Sequence, residues 1–237
     1  MCKDKPKIIS LFSGAGGLDI GFEQAGFETV VAVELDESCC DTLRTNRPNI
    51  CVVNKNVIDV TGKELLDLVH LNVGEPALVI GGPPCQSFSL AGLRKGLEDD
   101  RGKLLFEFVR IVRETLPLGF VLENVRGLVS WDHGKALNML IDEFKKPIEY
   151  NGEIYTYSVS KPQILNSVDY GAPQYRERLI VVGNRMGKPF YYPAPNIMCH
   201  PATVWDAIGN LPEPDSPSEV AMRISETIKD RRDKYGY

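Results

Sequence analysis

Short apolar segments alternate with segments of helical periodicity along most of this chain, and this alternation constrains the fold more than any other feature. Runs of Val, Ile and Leu predict buried strands, and apolar residues spaced three and four apart predict helices. When strands and helices alternate, the expected fold is α/β with a doubly wound, mostly parallel sheet and right-handed crossovers. The predicted strands are residues 7–11, 29–33, 77–80, 120–125 and 179–182, and the predicted helices are 18–25, 62–69, 104–112 and 136–144.

The first predicted strand leads into a glycine-rich turn, Phe12-Ser-Gly-Ala-Gly-Gly17. Glycine allows the backbone to approach a ligand where a strand passes into a helix, although many such turns only permit close helix packing. The second predicted strand ends in Glu34, about twenty residues later, where an acidic side chain can accept hydrogen bonds from ribose hydroxyls. Asp36 is better suited to cap the next helix. The turn and Glu34 together favour a nucleoside site.

A single cysteine follows the third predicted strand, in Gly81-Gly-Pro-Pro-Cys-Gln-Ser-Phe-Ser89. Most free cysteines are small buried apolar residues. Here two prolines restrict the backbone before the thiol, and a loop rich in Gly and Ser follows it. A cysteine that only fills the core needs neither feature, so the context favours a functional thiol at Cys85.

Charged side chains lie beside the last two predicted strands. Glu123 is near the end of residues 120–125, and ligands bind at the carboxyl ends of strands in open α/β sheets. Gln174-Tyr-Arg-Glu-Arg178 comes directly before residues 179–182. Two arginines two positions apart on an extended segment point the same way. Each feature alone also fits an ordinary solvated surface.

Taken in order, Phe12-Ser-Gly-Ala-Gly-Gly17, Pro83-Pro-Cys-Gln86, Glu123-Asn-Val125 and Gln174-Tyr-Arg-Glu-Arg178 resemble the signature motifs of the DNA cytosine-5 methyltransferases of bacterial restriction–modification systems. The similarity extends from residue 7 to about residue 212. It implies a seven-stranded, Rossmann-like sheet of the adenosylmethionine-dependent methyltransferase type. It also implies methyl transfer from S-adenosylmethionine to carbon 5 of cytosine in a specific sequence of double-stranded DNA.

The resemblance implies a role for each matching residue in the base site. The Cys85 thiolate would add to carbon 6 of a flipped-out cytosine and make carbon 5 nucleophilic. Glu123 would contact ring N3 and the exocyclic amine, Arg178 would hold O2, and Arg176 would help to position the site. Further substrate contacts are expected from Gln86, Ser87, Ser89 and Asn124.

The resemblance also implies the contacts to S-adenosylmethionine. Members of the family usually carry Asp where this chain has Asn56, whose carbonyl can still accept a hydrogen bond from the adenine amine. Asp59 is a weaker candidate for the same contact. The expected cofactor residues are Phe12, Ser13, Gly14, Ala15, Gly16, Gly17, Glu34, Leu35, Asn56, Val57, Pro83 and Leu104.

Composition is consistent with a cytoplasmic enzyme. The six cysteines show no CxxC spacing, which predicts neither a disulfide framework nor a metal site. No segment is long and apolar enough to predict a membrane span, and no signal peptide is recognised. The net charge of −5 is unlike that of a strong DNA binder. Basic residues cluster in the loop after Cys85, which in the family closes over DNA: Arg94, Lys95, Arg101 and Lys103.

We expect residues 1–211 to form the catalytic and cofactor-binding domain, and residues 212–237 to be a linker and the start of a target-recognition region. The rest of that region would be missing through truncation or would lie on a second polypeptide, and this chain alone would then methylate no specific site. One alternative is a tRNA cytosine-5 methyltransferase, although the Cys-Phe-Thr tripeptide expected of it is absent. The other is a cofactor-binding fragment that is inactive without a second polypeptide. Residues 150–157 are predicted to form an exposed hairpin tip or loop.

Overall fold

The computed structural model describes residues 5–84, 100–196 and 201–211, together with residues 222, 223 and 226. Its strands are β1 Lys7–Leu11, β2 Glu28–Glu34, β3 Cys51–Asn54, β4 Leu78–Gly81, β5 Gly119–Val125, β6 Ile148–Tyr150, β7 Glu153–Tyr155, β8 Ser158–Val159, β9 Gln163–Asn166 and β10 Glu177–Asn184. Its helices are α1 Gly17–Gln24, α2 Glu37–Asn46, α3 Gly62–Leu68, α4 Asp100–Thr115, α5 Gly127–Ser130, α6 Lys135–Lys145 and α7 Val204–Ile208. The α/β fold predicted from the alternation of strands and helices is confirmed.

The main sheet is mostly parallel, with the strand order β3-β2-β1-β4-β5-β10. The first five strands pair in parallel, and β10 runs antiparallel to β5. The short strands β8 and β9 both pair with β10, so the part of the sheet within the described residues has eight strands where seven were expected. Pro162 lies between β8 and β9, and because proline has no N–H it cannot donate to a sheet ladder there.

The centre of the sheet is covered on both faces. Side chains along β1 point alternately to opposite faces, and residues 8 to 11 are all at most 1 % exposed. The ring of Phe120 on β5 stacks on that of Phe144 on α6, with centroids 3.9 Å apart, and Phe108 on α4 meets both rings edge-on. This aromatic cluster joins the sheet to two helices.

The segment predicted as a hairpin tip is partly exposed and partly core. Strands β6 and β7 form the hairpin, and Asn151 and Gly152 make its two-residue turn with φ values of 50° and 79°. Positive φ at both positions is typical of a type I′ turn. Tyr157, however, is only 3 % exposed, and its hydroxyl donates to the Pro117 carbonyl at 2.7 Å. The prediction of exposure was therefore wrong for Tyr157, because its ring packs against Phe120.

We expect Gly183→Ala to destabilise the fold by about 1–3 kcal/mol, the usual cost of overpacking a core. A Cβ at Gly183 on β10 would lie 2.3 Å from a carbon of the Phe120 ring, so this ring would have to move. Gly21→Ala is the matched control, because a Cβ there meets nothing within 4 Å. Alanine inside α1 should stabilise the protein by up to about 1 kcal/mol. Urea unfolding measures both, and a Gly183→Ala protein as stable as wild type would contradict the packing described.

Candidate functional site

Residues of all four sequence motifs are brought to one edge of the sheet. The carboxyl ends of parallel strands share an edge, which places the segments after β1, β2, β4 and β5 together. Because β10 is antiparallel, it starts at this same edge, with Arg178 opposite Val125. Strand order puts Glu123 and Arg178 on one side of β4, which we call the first half of the edge. The turn after β1 and Glu34 lie on the other side, which we call the second half. The edge therefore has two halves that meet at the end of β4.

In the first half, Glu123 and Arg178 form an ion pair. Arg178 Nε lies 2.6 Å from Glu123 Oε1, and the two side chains are 24 % and 27 % exposed. A second guanidinium nitrogen of Arg178 donates to the Glu177 carbonyl at 2.8 Å, which limits the movement of the head group. A Cβ on Gly82 would lie 3.0 Å from Glu123 Oε2. The carboxylate thus adjoins the segment that continues into Cys85.

Asn124 connects the end of β5 to the proline segment. Its side-chain amide donates to the Pro83 carbonyl at 3.0 Å, and its side-chain oxygen accepts from the Val125 N–H at 2.9 Å. Asn124 is 1 % exposed. We predicted a direct contact between Asn124 and the substrate, but in the structure its polar groups bond within the protein. It anchors Pro83, two residues before Cys85, next to Glu123.

Asn124→Ala should lower the free energy of unfolding by about 1–3 kcal/mol, because it leaves the Pro83 carbonyl and the Val125 N–H without these partners in a buried place. Asn46→Ala removes a similar amide-to-carbonyl bond, 3.0 Å long, at an exposed position on α2. It should change the stability by no more than about 0.5 kcal/mol. Equal effects of the two substitutions in chemical unfolding would contradict the anchoring role of Asn124.

In the second half, backbone N–H groups hold the carboxylate of Glu34. Gly14 donates to Oε2 at 2.7 Å, and Leu35 and Asp36 donate to Oε1 at 2.8 and 2.9 Å. Asp36 caps α2 as predicted, since its side chain accepts from the Cys39 N–H at 3.0 Å. The bond from Gly14 connects the end of β2 to the turn after β1, and the three bonds together fix the orientation of the Glu34 carboxylate.

The glycines of the turn differ in what they permit. Gly14 has a φ of +54°, and a Cβ built there would meet nothing within 4 Å. This position therefore has open space where a side chain would be. A Cβ on Gly16 would come within 2.8 Å of the side chains of Arg47 and Leu43, so Gly16 allows α2 to pack against the turn. Close packing is therefore present at Gly16, and ligand approach at Gly14 stays a prediction with which the open space is compatible.

The segment after β3 contributes a polar and an apolar group. The Asn56 side-chain oxygen accepts from the Ile58 N–H at 3.2 Å and caps a 3-10 turn, which leaves one lone pair of that oxygen available. Val57 is 2 % exposed and part of the core, so its side chain is not exposed for the predicted contact with the cofactor. Ile58 and Leu35 are 49 % and 65 % exposed. Ile58, two positions after Asn56, was not among the residues predicted from the sequence.

The remaining predicted site residues differ in exposure, and some lie outside the described ranges. Arg176 is exposed, precedes β10, and uses its backbone N–H to donate to Asn166 at 3.0 Å. Phe12 packs on the core with a φ of 53°, Pro83 is buried, and Leu104 on α4 is half-buried. The substrate-site residues outside the described ranges are Cys85, Gln86, Ser87 and Ser89, and so are Arg94 and Lys95.

The described residues contain neither a metal-binding cluster nor a membrane-spanning helix. Within these ranges no group of three or more His, Cys, Asp and Glu side chains is arranged to hold a metal ion. No helix in the same part of the chain has the length and apolar character needed to cross a membrane.

Comparison with known proteins gives consistent matches. Residues 6–235 match the family model of the C-5 cytosine-specific DNA methylases. The type II methyltransferase M.AquIA of Picosynechococcus sp. is 50 % identical, over 98 % of this chain and 99 % of its own. M.XorII of Xanthomonas oryzae pv. oryzae is 43 % identical over 92 % of this chain but 49 % of its own. A crystal structure of a putative DNA modification methyltransferase encoded within an E. coli prophage superposes with a TM-score of 0.72 at 31 % identity, covering 88 % of this chain and 56 % of that one.

Proposed function

Because the chain belongs to the family of C-5 cytosine-specific DNA methylases, we propose that it transfers a methyl group from S-adenosylmethionine to carbon 5 of cytosine in double-stranded DNA, within a type II restriction–modification system. The structural observation that supports this most directly is the Glu123–Arg178 pair, 2.6 Å apart, beside the segment that leads into Cys85. A carboxyl, a guanidinium and a thiol are the groups needed to recognise and activate a cytosine ring.

The second half of the sheet edge fits the nucleoside part of the methyl donor. Glu34 is oriented by three N–H groups and keeps one lone pair, on Oε2, for a ribose hydroxyl. Leu35 and Ile58 supply exposed apolar surface for a base, and Asn56 supplies an acceptor for an amine. The open space at Gly14 leaves room for the donor's chain. When bound, the donor supplies an electrophilic sulfonium methyl group.

In the base half, covalent activation of the ring starts at Cys85. Its thiolate adds to carbon 6 of cytosine, and the ring electrons move so that carbon 5 becomes nucleophilic. Carbon 5 takes the methyl group, and S-adenosylhomocysteine is the leaving group. A base then removes the proton from carbon 5, the bond between sulfur and carbon 6 breaks, and the thiolate and 5-methylcytosine are released.

Glu123 and Arg178 stabilise the charge that builds on the ring during the addition. Glu123, when protonated, donates to N3 as the thiolate attacks, which is general acid catalysis. Arg178 holds O2 and offsets the developing negative charge. The two side chains contact each other in the structure, so cytosine must insert between them or bind along their shared edge.

The target cytosine has to leave the helix before these groups can reach it. In a duplex, carbons 5 and 6 are covered by stacked neighbouring bases, and extruding a base costs a few kcal/mol. We propose that the segment after Cys85 closes over DNA and keeps the base extruded. Sequence recognition is assigned to residues beyond the catalytic domain of residues 1–211, whether in this polypeptide or a second one; this assignment stays a prediction.

Expression of the gene with its flanking coding sequence in a host that lacks cytosine methylation tests the proposal. Bisulfite sequencing should find 5-methylcytosine at one short DNA sequence. Methylation confined to tRNA would favour the RNA alternative. No methylation of either, with calorimetric binding of S-adenosylhomocysteine retained, would favour a cofactor-binding fragment.

A further inference from the structure

Asp19 is the only Asp or Glu that is buried among the described residues, and the chemistry proposed above does not use it. It is the third residue of α1, directly after the glycine turn. Its side chain is 0 % exposed, and neither carboxyl oxygen has a hydrogen-bond partner within the described ranges. Burying a carboxyl without partners is costly, and an apolar residue of similar volume is often more stable in such a place. Packing alone therefore does not account for a carboxyl here.

Three polar groups face this carboxyl from the elements around it. Burial raises the pKa of Asp19, while the Ser10 hydroxyl on β1, the Thr29 hydroxyl on β2 and the charge of Arg47 at the end of α2 lower it. The hydroxyls are close enough to affect the carboxyl but do not meet hydrogen-bond geometry, and that of Thr29 has no partner within the described ranges. Arg47 is itself paired with Glu23 at 3.1 Å. The two hydroxyls are thus the groups that the carboxyl can orient.

Ser10 links Asp19 to the glycine turn. The Ser13 hydroxyl donates to the Ser10 hydroxyl oxygen at 2.9 Å, and both side chains are buried. The next residue, Gly14, donates its N–H to Glu34 at 2.7 Å. A series of neighbouring polar groups therefore runs from the Asp19 carboxyl to the Glu34 carboxylate at the end of β2.

We propose that Asp19 is a positioning residue which, through Ser10 and Ser13, fixes the glycine turn in the conformation that receives the methyl donor. A serine hydroxyl has one proton to donate and two lone pairs. The nearby Asp19 carboxylate favours a Ser10 hydroxyl whose proton is turned toward its charge, which leaves the Ser10 oxygen free to accept from Ser13 at 2.9 Å and so favours one direction of the Ser13 side chain. Gly14 is in the left-handed region with open space around it, so the turn needs such an anchor. The link to the methyl donor rests on the proposed function, whereas the link to the turn does not.

The test compares the ligand-free chain with its Asp19→Leu and Asp19→Asn variants. Leucine has the same number and branching of side-chain heavy atoms as aspartate and removes a buried carboxyl, so the free energy of unfolding should stay the same or rise. Amide hydrogen exchange at residues 12–16 should nevertheless become about tenfold faster, which corresponds to about 1.4 kcal/mol and is in the range of one hydrogen bond. Asparagine keeps an acceptor oxygen and should restore slow exchange.

Two further variants serve as controls. Ser10→Ala breaks the connection at its middle and should also speed exchange at residues 12–16. Thr115→Val removes another buried hydroxyl, one that bonds to Ile111 within α4, and should leave exchange in the turn unchanged. The proposal is overturned if Asp19→Leu leaves exchange in the turn unchanged. It is also overturned if this variant lowers global stability and speeds exchange throughout the sheet, since that result would mean that Asp19 only stabilises the fold as a whole.

Binding of S-adenosylhomocysteine separates this inference from the proposed function. In the methylation-competent enzyme, Asp19→Leu should weaken binding by about tenfold and Asp19→Asn should restore it, matching the exchange result. Equal affinities for wild type and Asp19→Leu would overturn the link between Asp19 and the donor. If the wild-type protein neither binds S-adenosylhomocysteine nor methylates DNA, the proposed function fails, and hydrogen exchange still tests the link to the turn.

Discussion

Replacing Cys85 with serine should reduce methyl transfer by about a thousandfold or more, the scale seen when a covalent nucleophile is removed. A hydroxyl at this position is a far weaker nucleophile than a thiolate at neutral pH, so carbon 5 of cytosine would not be activated. The fold and the affinity for S-adenosylhomocysteine should stay unchanged, because we propose that the donor binds to the segments that follow β1, β2 and β3. Single-turnover methylation and calorimetry on the complete enzyme measure the two effects separately.

DNA that contains 5-fluorocytosine should trap the enzyme at the same residue. Fluorine at carbon 5 cannot leave as a proton does, so the bond between sulfur and carbon 6 persists, and mass spectrometry should find it on Cys85. Cys39→Ser is the matched control, because burial and the nearby carboxylates of Asp36 and Glu34 raise the pKa of the Cys39 thiol. That variant should trap DNA as wild type does. An adduct on another cysteine would overturn the mechanism.

Glu123→Gln should lower the methylation rate by about a hundredfold, the usual loss when a general acid is removed. Glutamine keeps the size of the side chain but cannot transfer an acid proton to ring N3. It also replaces the charged partner that Arg178 contacts at 2.6 Å. The affinity for S-adenosylhomocysteine should change little, so the effect should appear in the single-turnover rate.

Glu177→Gln is the control for the loss of an ion pair. Glu177 contacts Arg126 at 2.8 Å at a more exposed place, and we assign it no part in the reaction. Its replacement should leave the methylation rate within about twofold of wild type, since exposed pairs contribute little. If Glu123→Gln behaved like Glu177→Gln, the Glu123 carboxylate would be a structural partner of Arg178 and not an acid.

Local patterns were enough to predict part of the fold, namely five strands and four helices, whereas β3 and the short strands β8 and β9 were not predicted. The first strand was predicted at residues 7–11, where β1 is found, and the other four predicted strands were placed within a few residues of β2, β4, β5 and β10. The turn, Glu34, Glu123 and Arg178 were also recognised from their sequence neighbourhoods. This succeeds because the periodicity of buried side chains and the residues that end a strand are properties of consecutive residues.

Contacts between distant segments could not be inferred in this way. That β10 runs antiparallel and starts at the same edge as Glu123 depends on which strand it pairs with. Asn124 was assigned to the substrate from its motif, whereas the fold brings Pro83 against its amide. Asp19 was given no role in the sequence analysis because it lies in an amphipathic segment, and only the packing of α1 against the sheet buries it. Hydrogen-bond partners and burial arise from the meeting of residues far apart in the chain, and only the assembled structure specifies which of them meet.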